Sequence, residues 1–376
     1  MRYSRFVGTV VQKISLALTL STLMALPSFS QSLFDLDSLH LFKYPSYILD
    51  YTSRGIKYTN KIIDEHLDEK DTRYITPNLY KWSFMMQYSN CYEYYKFSAR
   101  RNPQSITLSP DNSNKLGVYV GWKWIFLGWS FDLDRHNTKT DWNFSFYTSK
   151  VGIDVFHRKT GEGFRIRELQ GFKDPVTNKE ITPDGRLFDG ISVEQSGLNL
   201  YYIFNNKHFS YPAAYSQSTN QRISCGTFIM GLSYSSQSFH MDAGRFDEKI
   251  REAMHPSINF NRVKYQDFSI NAGYSYNWVF AKNCLANVSL TPALGYKKSK
   301  INTDEDRSIL NNINVDFISR AAILYNNSRY FAGASIVSHT YTYRKSTISI
   351  VNSFGVINIY TGINLFRKKE KAKQTN

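Results

Sequence analysis

The sequence predicts an all-β fold: a transmembrane antiparallel up-and-down β-barrel of about twelve strands, preceded by a short helical or irregular segment. Three observations predict it. First, apolar and small polar residues alternate strictly over long runs. Phe268, Ile270, Ala272, Tyr274, Tyr276 and Trp278 interleave with Ser269, Asn271, Gly273, Ser275 and Asn277. The runs Tyr80 to Tyr88 and Cys284 to Tyr296 read the same way, and a strand sends such neighbours to opposite faces. Second, aromatic residues close the greasy faces at both borders, where headgroups favour Trp and Tyr. Third, the connections between these runs alternate between long and tight, as they do between outer loops and periplasmic turns.

Taken in order, the chain opens with Arg2, Arg5 and Lys13 ahead of the apolar stretch Ile14 to Leu26, then Pro27-Ser28-Phe29-Ser30. This pattern predicts a cleaved signal peptide over 1–30. An apolar run of about thirteen residues is too short for a spanning helix, which needs about twenty. Residues 31–79 predict an N-terminal periplasmic segment, with Ile62, Ile63 and His66 on one helical face. The barrel is expected over 80–366, with strands at 80–89, 115–123, 125–134, 141–149, 150–159, 189–204, 223–237, 265–280, 283–298, 311–326, 328–344 and 350–366. The long even connection 205–222 is read as two strands that run past the lipid and bend at Pro212. A basic tail follows over 367–376, with Arg367, Lys368, Lys369, Lys371 and Lys373.

The chain carries a formal net charge of +15, and loss of the leader leaves about +12. A basic exported chain meets anionic lipid phosphates before it meets nucleic acid. The partners expected are outer-membrane lipids, including lipopolysaccharide, and the barrel-assembly machinery; no nucleic acid is expected, and any small-molecule ligand is left open. Cys91, Cys225 and Cys284 are too few and too scattered for a disulfide framework. In Cys225 and Cys284 the reading is a small buried hydrophobe within a strand. A soluble β-sandwich also alternates, but it would place branched aliphatics inside and charges outside. Here the other face is Gly, Ser, Asn and Tyr.

Several segments resemble a family of exported barrels, domain of unknown function 4421, found in gut-type Gram-negative anaerobes. Asp71-Thr72-Arg73-Tyr74-Ile75 is similar to its opening motif, and Gly121-Trp122-Lys123-Trp124 with Leu127-Gly128-Trp129-Ser130-Phe131 to its first hairpin. Gly152-Ile153-Asp154 is similar to its next strand. The most specific match is Gly197-Leu198-Asn199-Leu200-Tyr201-Tyr202-Ile203-Phe204-Asn205, followed by Phe209-Ser210-Tyr211-Pro212-Ala213-Ala214-Tyr215-Ser216-Gln217-Ser218. Ala272-Gly273-Tyr274-Ser275-Tyr276-Asn277-Trp278 adds a late one. The resemblance covers residues 71 to about 366 and implies fold and an outer-membrane location. It supplies no reaction, ligand or catalytic residue, and the long segment before Asp71 departs from it.

Little else in the chain points to covalent chemistry. The eight histidines are single, and no His-Glu-x-x-His or Cys-x-x-Cys spacing is present to hold zinc. Asp132 and Asp134, Asp242 to Glu248, and Asp304-Glu305-Asp306 read as solvated loops without the twelve-residue calcium pattern. No Gly-x-Ser-x-Gly nucleophile motif occurs, and no cofactor or metal is expected. The expectation is a non-enzymatic outer-membrane barrel for small-solute passage, ligand binding or envelope structure. Its lumen candidates for ligand binding are Asn199, Ser233, Asn271, Ser275 and Asn277. An outer-leaflet hydrolase or acyltransferase is the alternative and requires a Ser or Asp beside His157 or His240; a secreted β-sandwich binding protein is the other.

Overall fold

The structure, a computed structural model, describes residues 70–122, 125–134, 140–161, 163–302, 307–344 and 347–368. The alternating runs form strands. In chain order these are β1 (Ile75–Pro77), β2 (Tyr80–Ala99), β3 (Ser105–Pro110), β4 (Ser113–Trp122), β5 (Ile125–Asp132), β6 (Thr140–Tyr147), β7 (Val151–Thr160), β8 (Phe164–Gln170), β9 (Leu187–Phe188) and β10 (Ile191–Ile203). Then come the helix α1 (Tyr211–Tyr215), β11 (Thr219–Gln221), β12 (Cys225–Met241) and the helix α2 (Glu248–Ala253). The series ends with β13 (Arg262–Ala281), β14 (Cys284–Asn302), β15 (Arg307–Asn326), β16 (Tyr330–Arg344) and β17 (Ile348–Arg367).

All twelve expected strands are present, as β2, β4 to β7, β10 and β12 to β17. Their ladders are antiparallel and join successive strands. The last strand returns to the first, β17 pairing with β2 from Ile348↔Ala99 to Arg367↔Tyr80. At one end lie the tight connections, where Asn283 (φ 64°) and Ser328 (φ 75°) take the left-handed conformation that short turns demand. The long connections lie at the other, the loop end.

Closure differs between the two ends. The strand after β2 descends in two pieces: β3 pairs with its upper half (Tyr95↔Leu108) and β4 with its lower half (Trp82↔Trp122). Pro110, which has no N–H to give a ladder, ends the first piece. The ascending β7 is likewise prolonged, past Gly161 and Gly163, by β8, which pairs with β3 from Pro110↔Phe164 to Ser105↔Gln170. At the loop end, therefore, β3 meets β8 and the ring closes with ten strands. Nearer the turns the hairpin strands β5 and β6 are inserted, β5 against β4 and β6 against β7. Among the described residues no ladder joins β5 to β6.

The outward face carries a continuous apolar belt. Phe228, Met230 and Leu232 on β12, Phe268, Ile270, Tyr274, Tyr276 and Trp278 on β13, and Val288, Leu290, Leu294 and Tyr296 on β14 are all exposed. From Trp278 to Phe268 the strand climbs about 25 Å along the barrel axis, at about 3.4 Å per residue and a tilt of about 40°, matching a hydrocarbon layer. Beyond Phe268 and Tyr296 the same face becomes polar and charged.

The interior departs from a hydrated tube. At the loop end, Tyr95, Phe97, Phe164, Phe239, Phe260 and Ile350 sit in one apolar core that also takes Phe246 and Ile250 from the 242–261 connection. The rings of Phe97 and Phe239 meet edge to face with centroids 5.9 Å apart, a favoured aromatic geometry. At the turn end, residues 205–222 do not prolong the two flanking strands. Pro212 opens α1 at a position that needs no N–H, and Ser210 caps the helix by accepting from the Ala213 N–H at 3.2 Å. Cys225 and Cys284 begin their strands only half-buried, whereas Cys91 is buried. The leader, residues 31–69, His136, Asp304 to Asp306 and the tail beyond Lys368 lie outside the described residues.

Candidate functional site

The lumen is built in layers. The layer nearest the turns is the connection that holds α1. Tyr211 hydroxyl bonds Ser289 Oγ at 2.6 Å, and Tyr215 donates to Asn287 Oδ1 at 2.6 Å. Gln217 donates to the Tyr360 hydroxyl at 2.8 Å, and Asn277 Nδ2 donates to the Ser210 carbonyl at 2.9 Å and to Gln221 Oε1 at 3.0 Å. β11 of the same segment pairs with β1. These bonds hold the segment as a plug against β13, β14 and β17.

Above the plug an ion pair crosses the lumen. Arg320 of β15 donates to Asp154 Oδ2 of β7 at 2.5 Å, and both side chains are at least nine-tenths buried. Arg320 also donates to the hydroxyls of Tyr147 at 3.2 Å and Tyr201 at 3.3 Å, and it stands over the Tyr201 ring at 5.4 Å. Asp154 accepts further from Ser145 at 2.8 Å and Tyr147 at 3.1 Å. A buried pair needs such extra bonds, because desolvating two charges offsets much of their attraction. Tyr201 fits because Gly152 faces it: a Cβ there would lie 2.2 Å from the ring.

The next layers are equally full. Phe156, Tyr341 and Phe354 form a small apolar cluster. Lys297, fully buried, reaches Asp316 at 2.8 Å and Asp267 at 3.5 Å and donates to the Thr342 carbonyl at 2.7 Å. Gly295 leaves room for the Asp267 carboxylate, which a Cβ would approach to 2.3 Å. Asn352 donates to Gln237 Oε1 at 2.8 Å, and Glu93 accepts from Tyr95 at 2.6 Å. The void bounded by Asn199, Tyr201, Tyr211, Asn271 and Arg320 is about the size of one water.

The five lumen residues singled out in the sequence all point inward, in two groups. Asn199 accepts from Ser233 at 2.7 Å and from Asn271 at 3.0 Å, and Asn271 also donates to Ser233 at 2.7 Å, beside Arg320 and Asp154. Ser275 and Asn277 instead meet Asn287, whose Nδ2 donates to them at 3.0 Å and 2.7 Å, and so they brace the plug. Sequence reasoning missed Arg320, Asp154, Lys297, Asp267 and Asp316. Their signal was a charge on the small-polar side of an alternating run, a position that faces inward.

On the outward face, His157 Nδ1 and Ser196 Oγ are 2.8 Å apart on β7 and β10, at the upper edge of the belt next to Leu198. Among the described residues no carboxylate is hydrogen-bonded to the other ring nitrogen. His240 instead bonds the Asn261 carbonyl at 2.8 Å. Asp242 accepts from the Gly244 N–H at 3.0 Å as a turn cap. Among the described residues, no three His, Cys, Asp or Glu gather as metal ligands.

Two carboxylates outside the spanning part are strongly shifted. Lys249 of α2 lies 2.9 Å from Asp174. With the N–H groups of Thr177 and Val176, it holds that carboxyl far below its ordinary range. Asp71, near the turns, is pulled down to about 2 by the Arg73 side chain and then by the Arg73 backbone N–H.

Comparison with solved structures returns bacterial outer-membrane barrels at low similarity. The outer membrane protease OmpT from Escherichia coli is 8% identical, with a TM-score of 0.38, over 77% of this chain and 98% of that one. The attachment invasion locus protein Ail of Yersinia pestis is 12% identical, with a TM-score of 0.23, over 56% and 96%. The translocator domain of the autotransporter NalP from Neisseria meningitidis is 6% identical, with a TM-score of 0.29, over 85% and 96%. The fold stands on the antiparallel ladders described above. No curated protein matches in sequence. The model of one family does match, over residues 69–364, nearly all of the described barrel, and the chain belongs to that family, the domain of unknown function DUF4421.

Proposed function

We propose that this chain is an outer-membrane β-barrel that works closed, contributing envelope structure or contact through its loop end rather than a standing path for solutes. The observation that carries this reading is the Arg320–Asp154 pair spanning the lumen between a plug at the turns and an apolar core at the loops. The belt of about hydrocarbon height supports the membrane setting. In this reading the leader is removed before Gln31, and the barrel-assembly machinery and outer-membrane lipids are its partners. Reconstitution into planar bilayers tests it: folded protein gives no stepwise conductance, and steady unitary steps overturn it.

A second reading, an outer-leaflet hydrolase or acyltransferase, is favoured by the Ser196–His157 hydrogen bond at the membrane rim. There the His would take the Ser proton as the hydroxyl attacks an acyl ester, return it to the alcohol that leaves as the ester C–O bond breaks, and let water release the acyl group from Ser196. Ester hydrolysis by the wild type that Ser196→Ala removes supports this reading. Hydrolysis that survives the substitution, or none in the wild type, dismisses it.

A further inference from the structure

On β13 and β14 the outward face changes character just past the Phe268 and Tyr296 border. Arg262, Lys264 and Lys298 are exposed there. Register sets Lys264 opposite Lys300 and Gln266 opposite Lys298. The neighbouring strand offers no anion, placing Ser238 opposite Lys264 and His240 opposite Arg262. Asp242, just past the end of β12, is already engaged by the Gly244 N–H at 3.0 Å and by Arg245 at 3.2 Å, and the next described carboxylate on this face is Glu194. It is level with Lys264 but two strands away, at about 10 Å, and it stands opposite Lys159. Among the described residues Arg262 reaches only the Ser238 hydroxyl, at 3.5 Å.

Height gives the cluster its meaning. Lys298 lies two residues past Tyr296, Lys264 four past Phe268 and Arg262 six, about 5, 10 and 16 Å above the apolar border along the axis. The lowest of these heights is the headgroup layer, where lipid phosphates sit, and long Lys and Arg side chains can snorkel toward it from above. Lys297, one residue from Lys298, faces inward and is already neutralised by Asp316 and Asp267. The outward cations therefore stand apart from the lumen chemistry.

We propose that Arg262, Lys264 and Lys298 form a site for the phosphate of an anionic lipid headgroup at the loop-end rim of the barrel. The aromatic rings of Phe268 and Tyr296 lie directly below, where the acyl chains begin. The proposal rests on the chain being an outer-membrane barrel and is independent of whether its lumen conducts.

The test is native mass spectrometry of the refolded full chain in detergent, titrated with lipid A bearing its phosphates, with dephosphorylated lipid A and with phosphatidylglycerol. The wild type binds phosphorylated lipid A, and the triple variant R262Q/K264Q/K298Q binds it on the order of a hundredfold more weakly. Dephosphorylated lipid A shows a loss of similar size, and Lys159→Gln, whose opposite neighbour is Glu194, changes little. Equal affinity for phosphatidylglycerol assigns the site to lipid phosphate in general, and preference for lipid A assigns it to the phosphorylated saccharide. Heat-modifiable migration on gels verifies folding; if the triple variant does not fold, Lys298→Gln alone lowers affinity about fivefold. Undiminished binding by the folded variants, or by dephosphorylated lipid A, overturns the site. Channel steps in bilayers would overturn the closed lumen and leave this site standing.

Discussion

The sector from β13 to β15 and the sector from β4 to β7 follow the same alternating code with different outcomes. β13 and β15 run for 20 residues each, and the ladder between β13 and β14 extends from Arg262↔Asn302 to Ala281↔Cys284. On the other side, β4 and β7 span 10 residues and β5 and β6 span 8. The breaks there fall at Pro110 and between Gly161 and Gly163, and across each break the strand acquires a new neighbour. Length of unbroken alternation, more than greasiness, decides whether a strand keeps one partner. Breakers let the cylinder pass from twelve strands near the turns to ten near the loops.

Hydrogen exchange in micelles probes this contrast most strongly. Amides of β14, paired on both sides, should exchange only with global opening. The unladdered edges of β5 and β6 should exchange on the order of a thousandfold faster. Equal protection would show that the two sectors are closed alike. Next comes the tie between them, since Arg320 belongs to the long sector and Asp154 to the short one. Arg320→Met should lower stability by about 3–5 kcal/mol in a urea midpoint assay, because it strands a buried carboxylate. The double change R320M/D154L should recover part of that loss. A cost near zero for the single change would mean that the ladders alone hold the sectors together.

Smaller effects sharpen the picture. Gly152→Val drives a side chain into Tyr201 and should cost about 1–3 kcal/mol by the same assay. Tyr215→Phe, which removes one bond from the plug, should cost about 1 kcal/mol. The smallest effect is the pH response of the loop end. The carboxyl of Asp174 has a lowered pKa in the folded state, so its contribution is present above the ordinary carboxylate value and is lost as pH falls through the depressed one. Protease protection of the 171–190 connection should therefore be flat from pH 7 to about 5 and decline only well below about 4. Asp174→Asn should weaken protection at neutral pH.

The barrel was legible because period-two alternation survives in a single sequence wherever one face meets lipid and the other does not. Phe268 to Trp278 shows it plainly. The plug was not legible: Phe209, Tyr211 and Tyr215 are as aromatic as a strand border, and only Pro212 after Ser210 hinted at a capped helix. The loop-end core was hidden for a related reason. Phe97, Phe239 and Phe260 lie on three different segments, and nothing local says that they meet. Among the site residues, Asn199 and Asn271 were found because small amides on an inward face stand out. Arg320 and Asp154 were passed over because each looks costly in a membrane strand until the other is placed across from it.

The pairing of β17 with β2 fixes when this molecule can exist at all. A ribosome must finish almost the entire chain before the first spanning strand acquires its second neighbour. Until then the edge of β2 that faces β17 has no strand to pair with, a state that water tolerates and lipid does not. Sealing of that seam therefore follows synthesis, and a message cut short before codon 348 yields a polypeptide whose first long strand keeps it open.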